Sequence, residues 1–353
     1  MNKIPNIFLY RLKKDNTNNE IINSYKEIAL NSCLSPEQIN KVIANNKSIL
    51  CLEDDLINEL NNPDVKYIIS CLKPQITYKN KRKDIKPEEI IKGAIYGDII
   101  GSAYGFKIHD YSLVNSEILP KTNAFITGNT ILTLAARKAV LENRENPDYK
   151  KHFVKARENY RNLIYENSFY VWNNSGYLTE NGYNGILNDC ITRISFIPAY
   201  YNNLDEMMLC AANSIMTTHN HVESLKGGLA LSVCIWMALN GYKKEDIREY
   251  IESIYHFGEN LFEKYKKNAV KDKLKEKEII YSSVEHSLLF SINCFFNTNS
   301  YEECMREILK NFGDTSSLCA IVGGLCVACY GKIGMNEERL LRILDRELNN
   351  RRK

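Results

Sequence analysis

The sequence predicts an all-α fold, a compact multi-helix domain with a small N-terminal extension. After residue 88, the alternation of apolar and polar residues that is typical of strands is almost absent, and apolar residues recur at helical spacing. Gly93, Gly97, Gly101 and Gly105 stand four residues apart and share one face of a helix. The segment 318–330 is apolar on all sides, which predicts a helix running through the middle of the domain.

The chain divides into an N-terminal module at 1–78, a charged linker at 79–87 and a helical domain at 88–353. In the module, Ser35 and Pro36 are typical of a helix start, whereas residues 65–69 fit a strand or a short helix equally well. The linker is expected to be solvated. We find no chemistry in the module, so packing and contact with a protein partner are both open roles for it.

Helical periodicity predicts helices at about 130–144, 151–168, 206–217, 221–240, 244–268, 284–297, 301–310, 316–330 and 336–348. Pro87, followed by two glutamates, is typical of the start of an earlier helix, which carries the glycine stripe. A glycine in a helix interior costs about 1 kcal/mol relative to alanine. The stripe therefore indicates the close approach of another helix or of a ligand. Asn240 and Gly241 are typical of a helix C-terminus.

Charge and composition exclude several classes of protein. The net charge of +3, from 46 basic and 43 acidic residues, argues against broad nucleic-acid binding, which needs a concentrated basic face. No run of about 18 uninterrupted apolar residues is present, so no membrane span is expected. The N-terminus lacks an apolar signal core, and we expect a cytoplasmic protein.

The eleven cysteines do not form the pattern of a disulfide scaffold, and their number is odd. Cys326 and Cys329 have the spacing of a metal-binding pair, but they lie within the apolar helix. No second pair with this spacing exists to complete a zinc site. We therefore expect reduced thiols in the core.

A polar turn, Gly313-Asp314-Thr315-Ser316-Ser317, stands directly before the apolar helix. A helix N-terminus exposes unpaired N–H groups and partial positive charge. Small polar side chains at such a place can cap the helix, hold a cation or bind phosphate oxygens. The turn contains a single carboxylate, that of Asp314.

Five segments occur in an order and spacing that resemble the ADP-ribosylglycohydrolase family, over about residues 90–335. They are Gly93 to Gly101, Thr127-Gly128-Asn129-Thr130, Asn188 to Ser195, Thr218 to Glu223, and Gly313 to Ser317. The resemblance implies an all-α fold with two Mg²⁺ ions in a central cleft. It also implies cleavage of the glycosidic bond between ADP-ribose and a protein side chain or small acceptor, with the metals orienting the ribose and activating water.

The sequence departs from this family at the metal positions. By position, the resemblance implies a catalytic carboxylate at Asp314 and metal ligands at Thr127, Asn129, Asp314, Ser316 and Ser317. A Thr-Asp-Asp-Thr segment of the family reads Thr127-Gly128-Asn129-Thr130 here, and an Asp-Thr-Asp-Thr segment reads Asp314-Thr315-Ser316-Ser317. A glutamate that follows the first helix is replaced by Gly105.

The number of carboxylates decides what these changes mean. Two Mg²⁺ ions bring four positive charges and need oxygen ligands, chiefly carboxylates, of which this sequence offers Asp314. We expect at most one weakly held Mg²⁺ and the loss or severe weakening of metal-dependent hydrolysis. His109 or Asp110 could replace the missing glutamate, and Asp189 could support acid–base chemistry without metal. The alternative for all three is an ordinary exposed loop residue.

On the ligand side, the resemblance implies contacts from Gly185, Asn188, Asp189, Arg193 and His219. Arg193 fits a phosphate or a buried acid such as Asp98 equally well. His219 fits either a position near the nucleotide, as the resemblance implies, or a capping or packing role. Asp98 is expected to bond the backbone of a neighbouring turn.

An aromatic cluster, Tyr165, Phe169, Tyr170 and Trp172, precedes the polar loop 173–176. The cluster and loop together suit a nucleotide pocket, because rings can stack on adenine and backbone N–H groups can bind a diphosphate. Packing of the rings in the helix core is the alternative.

Three functional hypotheses follow. The first is a divergent member of the family that holds ADP-ribose or an ADP-ribosylated protein, as a binder, decoy or sensor, with little or no metal-dependent hydrolysis. The second is a hydrolase that uses one Mg²⁺ or none. The third is a non-catalytic helical scaffold whose partner contacts lie in residues 1–78. The first two predict binding of ADP-ribose, and the third does not.

Overall fold

The structure is a computed structural model that describes residues 65–74, 82, 84–104, 118, 124–166, 169, 172–173, 182–183, 185–255, 282–310, 314–334 and 337–352. Its helices are α1 (Val65–Leu72), α2 (Pro87–Ser102), α3 (Gly128–Glu142), α4 (Tyr149–Asn159), α5 (Asp189–Thr192), α6 (Ile197–Tyr200), α7 (Leu204–Met216), α8 (Val222–Leu239), α9 (Lys244–Ile254), α10 (Val284–Phe296), α11 (Tyr301–Leu309), α12 (Thr315–Tyr330) and α13 (Glu337–Arg351). The described residues form no β-strand, so the predicted all-α class is confirmed.

The most extensive helix contact joins α2 and α12, and glycines make it possible. A Cβ atom at Gly97 would lie less than 3.0 Å from the carbonyl oxygen of Cys319. A Cβ atom at Gly101 would also lie less than 3.0 Å from a carbonyl oxygen of α12, that of Thr315. Gly323 of α12 is just as close to the backbone of Gly93. The glycine stripe therefore serves the approach of another helix. Gly105, its fourth member, lies outside the described residues.

Helix α12 is the centre of the domain, as its apolar sequence predicted. Every residue from Thr315 to Ala328 is buried, against α2, α8, α10 and α11. The helix ends at Tyr330 and is followed by Gly331, whose φ of 78° is in the left-handed region that favours glycine. Cys326 and Cys329 are free cysteines within this helix, and their reduced state stays a prediction.

Helix α8 is the second core helix. Its length and composition would suit a membrane span, but all of it is buried inside the domain, which is the usual state of a core helix in a soluble fold. It ends at Leu239, and Gly241 follows with a φ of 79°, so the predicted C-terminus is confirmed.

Helix α1 packs on the domain although its residues belong to the predicted N-terminal module. Ile68 and Leu72 are buried, α1 contacts α7 and α8, and Lys73 pairs with Asp205 at 2.7 Å. Arg82 of the linker donates to the carbonyl oxygen of Cys329 at 2.8 Å and so bonds the C-terminus of α12. A separate module before residue 65 stays a prediction, and the helix start predicted there lies outside the described residues.

Two helices end earlier in the described residues than the sequence predicted. Helix α4 ends at Asn159, not near 168, because the chain turns to bury Leu163 and Tyr165 in the core. The turn also lets the carbonyl oxygen of Ile164 accept a bond from Gly128 N at 2.8 Å. Helix α9 ends at Ile254, and residues 256–268 of the second prediction lie outside the described part of the chain.

We expect Gly97→Ala to lower the free energy of unfolding by about 1–3 kcal/mol, because the added Cβ would force two helix backbones apart. Chemical denaturation followed by circular dichroism measures this change. Gly334→Asn is the control, since no atom lies within 4 Å of its Cβ position and asparagine tolerates its φ of 70°. Equal stabilities of the two variants would contradict the close helix contact.

Candidate functional site

The candidate site begins where the N-termini of α3 and α12 meet the side of α2. The polar cluster at this place is defined by side chains from all three helices and the residue before α3: Asp98, Thr127, Asn129, Thr130, Ser316 and Ser317. Thr127 caps α3 by accepting a bond from Asn129 N at 3.1 Å. Asp314 caps α12 through Ser317 N at 3.3 Å.

Asp98 is the centre of the polar cluster and is fully buried. Its Oδ2 accepts bonds from Thr127 N at 2.9 Å and from the Thr130 hydroxyl at 2.6 Å. Its Oδ1 accepts bonds from the Thr127 hydroxyl at 2.7 Å and from the hydroxyl of Ser316. The four donors fill the lone pairs of the carboxylate. The prediction that Asp98 bonds the backbone of a neighbouring turn is confirmed.

Asn129 and Ser317 form the second layer of the cluster. Asn129 Nδ2 donates to Ser317 Oγ at 3.0 Å, and Asn129 Oδ1 accepts from the Thr192 hydroxyl at 3.2 Å. Thr192 Oγ1 also lies 2.8 Å from the carbonyl oxygen of Asp189. These bonds connect the cluster to α5, which carries the ligand-side residues of the sequence analysis.

The predicted metal ligands do lie close together, but most of their polar groups form hydrogen bonds with one another or with Asp98. In the described residues, no group of three or more His, Cys, Asp or Glu side chains is arranged to hold a metal ion. The carboxylate of Asp98 is saturated, and the amide of Asn129 is bonded at both ends. This donor set does not fit a centre of two Mg²⁺ ions, which would require several free carboxylates.

Three carboxylates, of Glu166, Asp189 and Asp314, lie beyond the polar cluster and interact electrostatically. Burial raises the pKa of Asp189 well above its usual range, and the negative charges of Glu166 and Asp314 raise it further. Burial also raises the pKa of Asp314, partly offset by its bonds to Ser317. Asp189 and Asp314 remain partly exposed, and the raised pKa of each favours its protonated form more than in an ordinary carboxyl group.

His219 lies beside this group and is fully buried. Its Nε2 is 3.1 Å from Glu166 Oε2, and its ring meets that of Tyr183 edge-on with centroids 5.0 Å apart. Tyr183 donates to the same glutamate oxygen at 2.6 Å. Burial lowers the pKa of His219, which favours the neutral ring. Gly185 leaves room for this ring, because a Cβ there would lie 2.7 Å from it.

Arg193 is turned into the core. Its Nη2 donates to Ser214 O at 2.9 Å and to Thr218 Oγ1 at 2.5 Å, and its guanidinium lies over Phe153, 4.3 Å from the ring centroid. It does not bond Asp98. Nε and Nη1 are buried without a hydrogen bond, and burial lowers the pKa of the guanidinium. In this placement Arg193 holds Thr218 and has no contact with the surface.

Other predicted site residues lie in the core or outside the described part of the chain. Asn188 is buried and donates to Ser287 Oγ at 2.9 Å. Within the aromatic cluster, Phe169 is buried and lies 5.5 Å, centroid to centroid, from both Tyr165 and Trp172, as expected for core packing. The remaining members of these predictions, Tyr170, residues 174–176, His109 and Asp110, lie outside the described residues.

Glu166 is the residue that the sequence analysis missed. It follows Tyr165, which was noted for its ring, and belongs to no motif of the family resemblance. A single carboxylate that directly follows Ile164 and Tyr165 was the available signal, because such a group is rarely buried without partners. No pattern in the sequence around Glu166 indicates its contact with His219, which lies 53 positions later.

The fold and the site define an all-α protein with carboxylates gathered at the start of a buried central helix. The sequence profile of the ADP-ribosylglycohydrolase family matches residues 83–350. Among solved structures, one chain of an "ADP-ribosylglycohydrolase-related protein complex" superposes with a TM-score of 0.54 at 21% identity, covering 75% of this chain and 96% of its own. At this identity the likeness shows the fold alone. No curated protein sequence matches the chain.

The chain belongs to the ADP-ribosylglycohydrolase family, as the order of its motifs predicted. The family acts on ADP-ribosylated substrates.

We expect Asp98→Asn to lower the free energy of unfolding by at least about 2 kcal/mol, because the new amide donor would face four existing donors in a buried place. Asp205→Asn is the control, since its pair with Lys73 is exposed and surface pairs contribute at most about 1 kcal/mol. Urea denaturation of both variants measures the difference. Equal losses would contradict a structural role for Asp98.

Proposed function

We propose that this protein holds ADP-ribose, free or attached to a protein, at the partly exposed side chains of Asp189 and Asp314 beside the polar cluster. In this proposal the family's metal-dependent hydrolysis is lost or severely weakened. The protein would act as a binder, decoy or sensor of ADP-ribosylation. Residues 1–78 are proposed to contact a protein partner, and the protein is proposed to be cytoplasmic.

One observation carries the loss of metal chemistry: hydrogen bonds already occupy both oxygens of the Asp98 carboxylate. Thr127 and Ser316, at positions where the family resemblance implies metal ligands, supply three of its four donors. Asn129 and Ser316 add no charge, so the cluster would offer a divalent ion little electrostatic stabilisation. Gly128 supports the same view, because a Cβ there would lie 2.5 Å from Tyr165 Cδ1. An aspartate side chain would not fit at that position without movement of this ring.

The remaining polar groups suit the sugar part of the ligand. Asp189 and Asp314 are partly exposed, and carboxylates accept bonds from ribose hydroxyl groups. Arg193 bonds Ser214 and Thr218, so we assign it to support of His219 and not to the diphosphate.

Isothermal titration calorimetry tests the binding proposal. We expect ADP-ribose to bind the full chain with a Kd below about 1 mM, and we expect the Kd to be unchanged between EDTA and Mg²⁺ because no cation completes the site. Absence of binding at millimolar ADP-ribose would favour the scaffold hypothesis. Mg²⁺-dependent release of ADP-ribose from modified peptides at ordinary enzyme rates would overturn the proposed loss of metal chemistry.

Restoring carboxylates at the polar cluster tests the positions assigned to the family's metal ligands. The double variant Asn129→Asp with Ser316→Asp places two charges near Asp98, and Gly128 is kept because its site is closed to side chains. We expect a lower Tm in EDTA, from repulsion between the carboxylates, and recovery with Mg²⁺. A bound ion adds about 2.7 kcal/mol of stability at a hundred times its Kd.

The matched control is Asn146→Asp with Ser253→Asp, which makes the same changes at exposed positions. Differential scanning calorimetry in EDTA and in Mg²⁺ compares both variants with the wild type. If Mg²⁺ shifts the Tm of the site variant no more than that of the control, the positions assigned to the family's metal ligands are wrong.

A further inference from the structure

Ile164 is held toward the solvent at the edge of the candidate site. Its side chain is 69% exposed, more than any other large apolar side chain of the described residues. Leu163 and Tyr165 on its two sides are buried, and the carbonyl oxygen of Ile164 accepts a bond from Gly128 N at 2.8 Å. These contacts fix the backbone and leave this side chain outside. A single exposed apolar residue is ordinary on a protein surface, so its surroundings decide what it can do.

The position of Ile164 connects it with the proposed ligand site. Gly128, its backbone partner, is the first residue of α3, and the N-terminus of α3 belongs to the polar cluster. Two residues after Ile164, Glu166 Oε2 lies 3.1 Å from His219 Nε2. Ile164 therefore stands between the polar cluster and the contact of Glu166 with His219. A protein that presents ADP-ribose to this site would come close to Ile164.

A basic surface precedes Ile164 in the chain. Residues 150–161 contain five basic side chains and one acidic side chain, whereas the whole chain has 46 and 43. We call these five bases, all of which are exposed or partly exposed, the basic strip: Lys150, Lys151, Lys155, Arg157 and Arg161. Lys151 pairs with Glu142 at 3.2 Å. Lys155 and Arg161 form no ion pair within the part of the chain that the structure describes, so positive charge remains unbalanced there.

Packing joins the basic strip to Ile164. Helix α4 carries all of the strip except Arg161, and its 11 residues extend over about 16 Å. The guanidinium of Arg157 lies over the ring of Tyr165, 5.2 Å from its centroid. Arg161 Nε donates to the carbonyl oxygen of Glu158 at 3.2 Å, which keeps Arg161 at the end of the helix. The strip and Ile164 thus form one continuous surface that runs from α4 to the edge of the candidate site.

The composition of this surface favours a protein partner. Protein interfaces combine apolar contacts with a polar rim, and opposite charges guide the two partners together. The strip extends along the whole of α4, so the diphosphate of one ADP-ribose cannot contact all of it. A nucleic acid would match the charge, but its phosphates bind basic and polar groups and would leave Ile164 without a partner. An acidic protein segment that contains an apolar residue matches both features.

We propose that Ile164 and the basic strip form a docking surface for the protein that carries the ADP-ribose. That protein would present an acidic segment with an apolar residue next to its modified side chain. This inference rests on the proposed binding of ADP-ribose, and it is separate from the partner contacts proposed for residues 1–78.

Peptides of opposite charge test the docking surface. Two peptides each carry an ADP-ribosylated serine beside a leucine, flanked by glutamates in one and by lysines in the other. Fluorescence anisotropy gives their Kd for the full-length chain in EDTA, and calorimetry gives that of free ADP-ribose. We expect the glutamate peptide to bind at least about tenfold more tightly than free ADP-ribose and than the lysine peptide, because opposite charges add to the ADP-ribose contact. Added salt should reduce this advantage, since the charges are exposed.

Two variants separate the docking surface from the ligand site. They are Ile164→Ser and the double variant Lys155→Glu with Arg161→Glu. We expect each to remove most of the advantage of the glutamate peptide, while the Kd for free ADP-ribose stays within about threefold. All three side chains are exposed, so the substitutions leave the core unchanged.

The matched controls make the same kinds of change elsewhere on the surface. Leu341→Ser replaces an exposed leucine of α13, and Lys66→Glu with Lys332→Glu reverses two exposed charges outside the strip. Both controls should bind the two peptides as the wild type does. A glutamate-peptide advantage that the Ile164 and strip variants keep, or that the controls also lose, would overturn the assignment to this surface.

The remaining outcomes separate the two proposals. Equal Kd values for the two peptides overturn the docking surface and leave the proposed function intact. Binding of the glutamate peptide with or without its ADP-ribose, and no binding of free ADP-ribose, overturns the proposed function and leaves the surface intact. Absence of binding by all three probes overturns both. A short DNA duplex that binds more tightly than the glutamate peptide would assign the strip to nucleic acid and overturn the protein partner.

Discussion

The close contact between the backbones of α2 and α12 is the constraint on which the rest of the molecule depends. Glycines leave no Cβ atom at the closest points between the two helices, so carbonyl oxygens of one helix lie against glycine Cα atoms of the other. Asp98 follows Gly97 and is carried by this contact to the N-termini of α3 and α12, where it bonds Thr127 and Ser316. A wider separation would leave this buried carboxylate without its donors.

Because this contact buries Asp98, the structure has to stabilise the charge of its carboxylate. A buried carboxylate must be paired, hydrogen-bonded or protonated. For Asp98 the chain supplies hydrogen bonds from neutral groups, and in the proposed function this removes the place that divalent ions would take. Two further carboxyl groups, those of Asp189 and Asp314, keep partial contact with solvent, and burial raises the pKa of both.

Much of the fold follows from local pattern. The order of the helices, the burial of α12 and the structural role of Asp98 were predicted, because helical periodicity and buried polar groups leave direct signals in a sequence. The end of α4 was not, since burial of Leu163 and Tyr165 outweighs a periodicity that continues beyond Asn159. The helical state of residues 65–72 was undecided for a similar reason, because packing on α7 and α8 determines it.

The sequence by itself determined the family, the all-α class and the low number of carboxylates at the family's metal positions, because these depend on which residues stand at which spacing. Only the tertiary structure decided which polar groups meet. The turning of Arg193 toward Thr218, and the meeting of Glu166 with His219, join segments far apart in the chain. No local pattern encodes such contacts, since the packing of several helices together places the side chains.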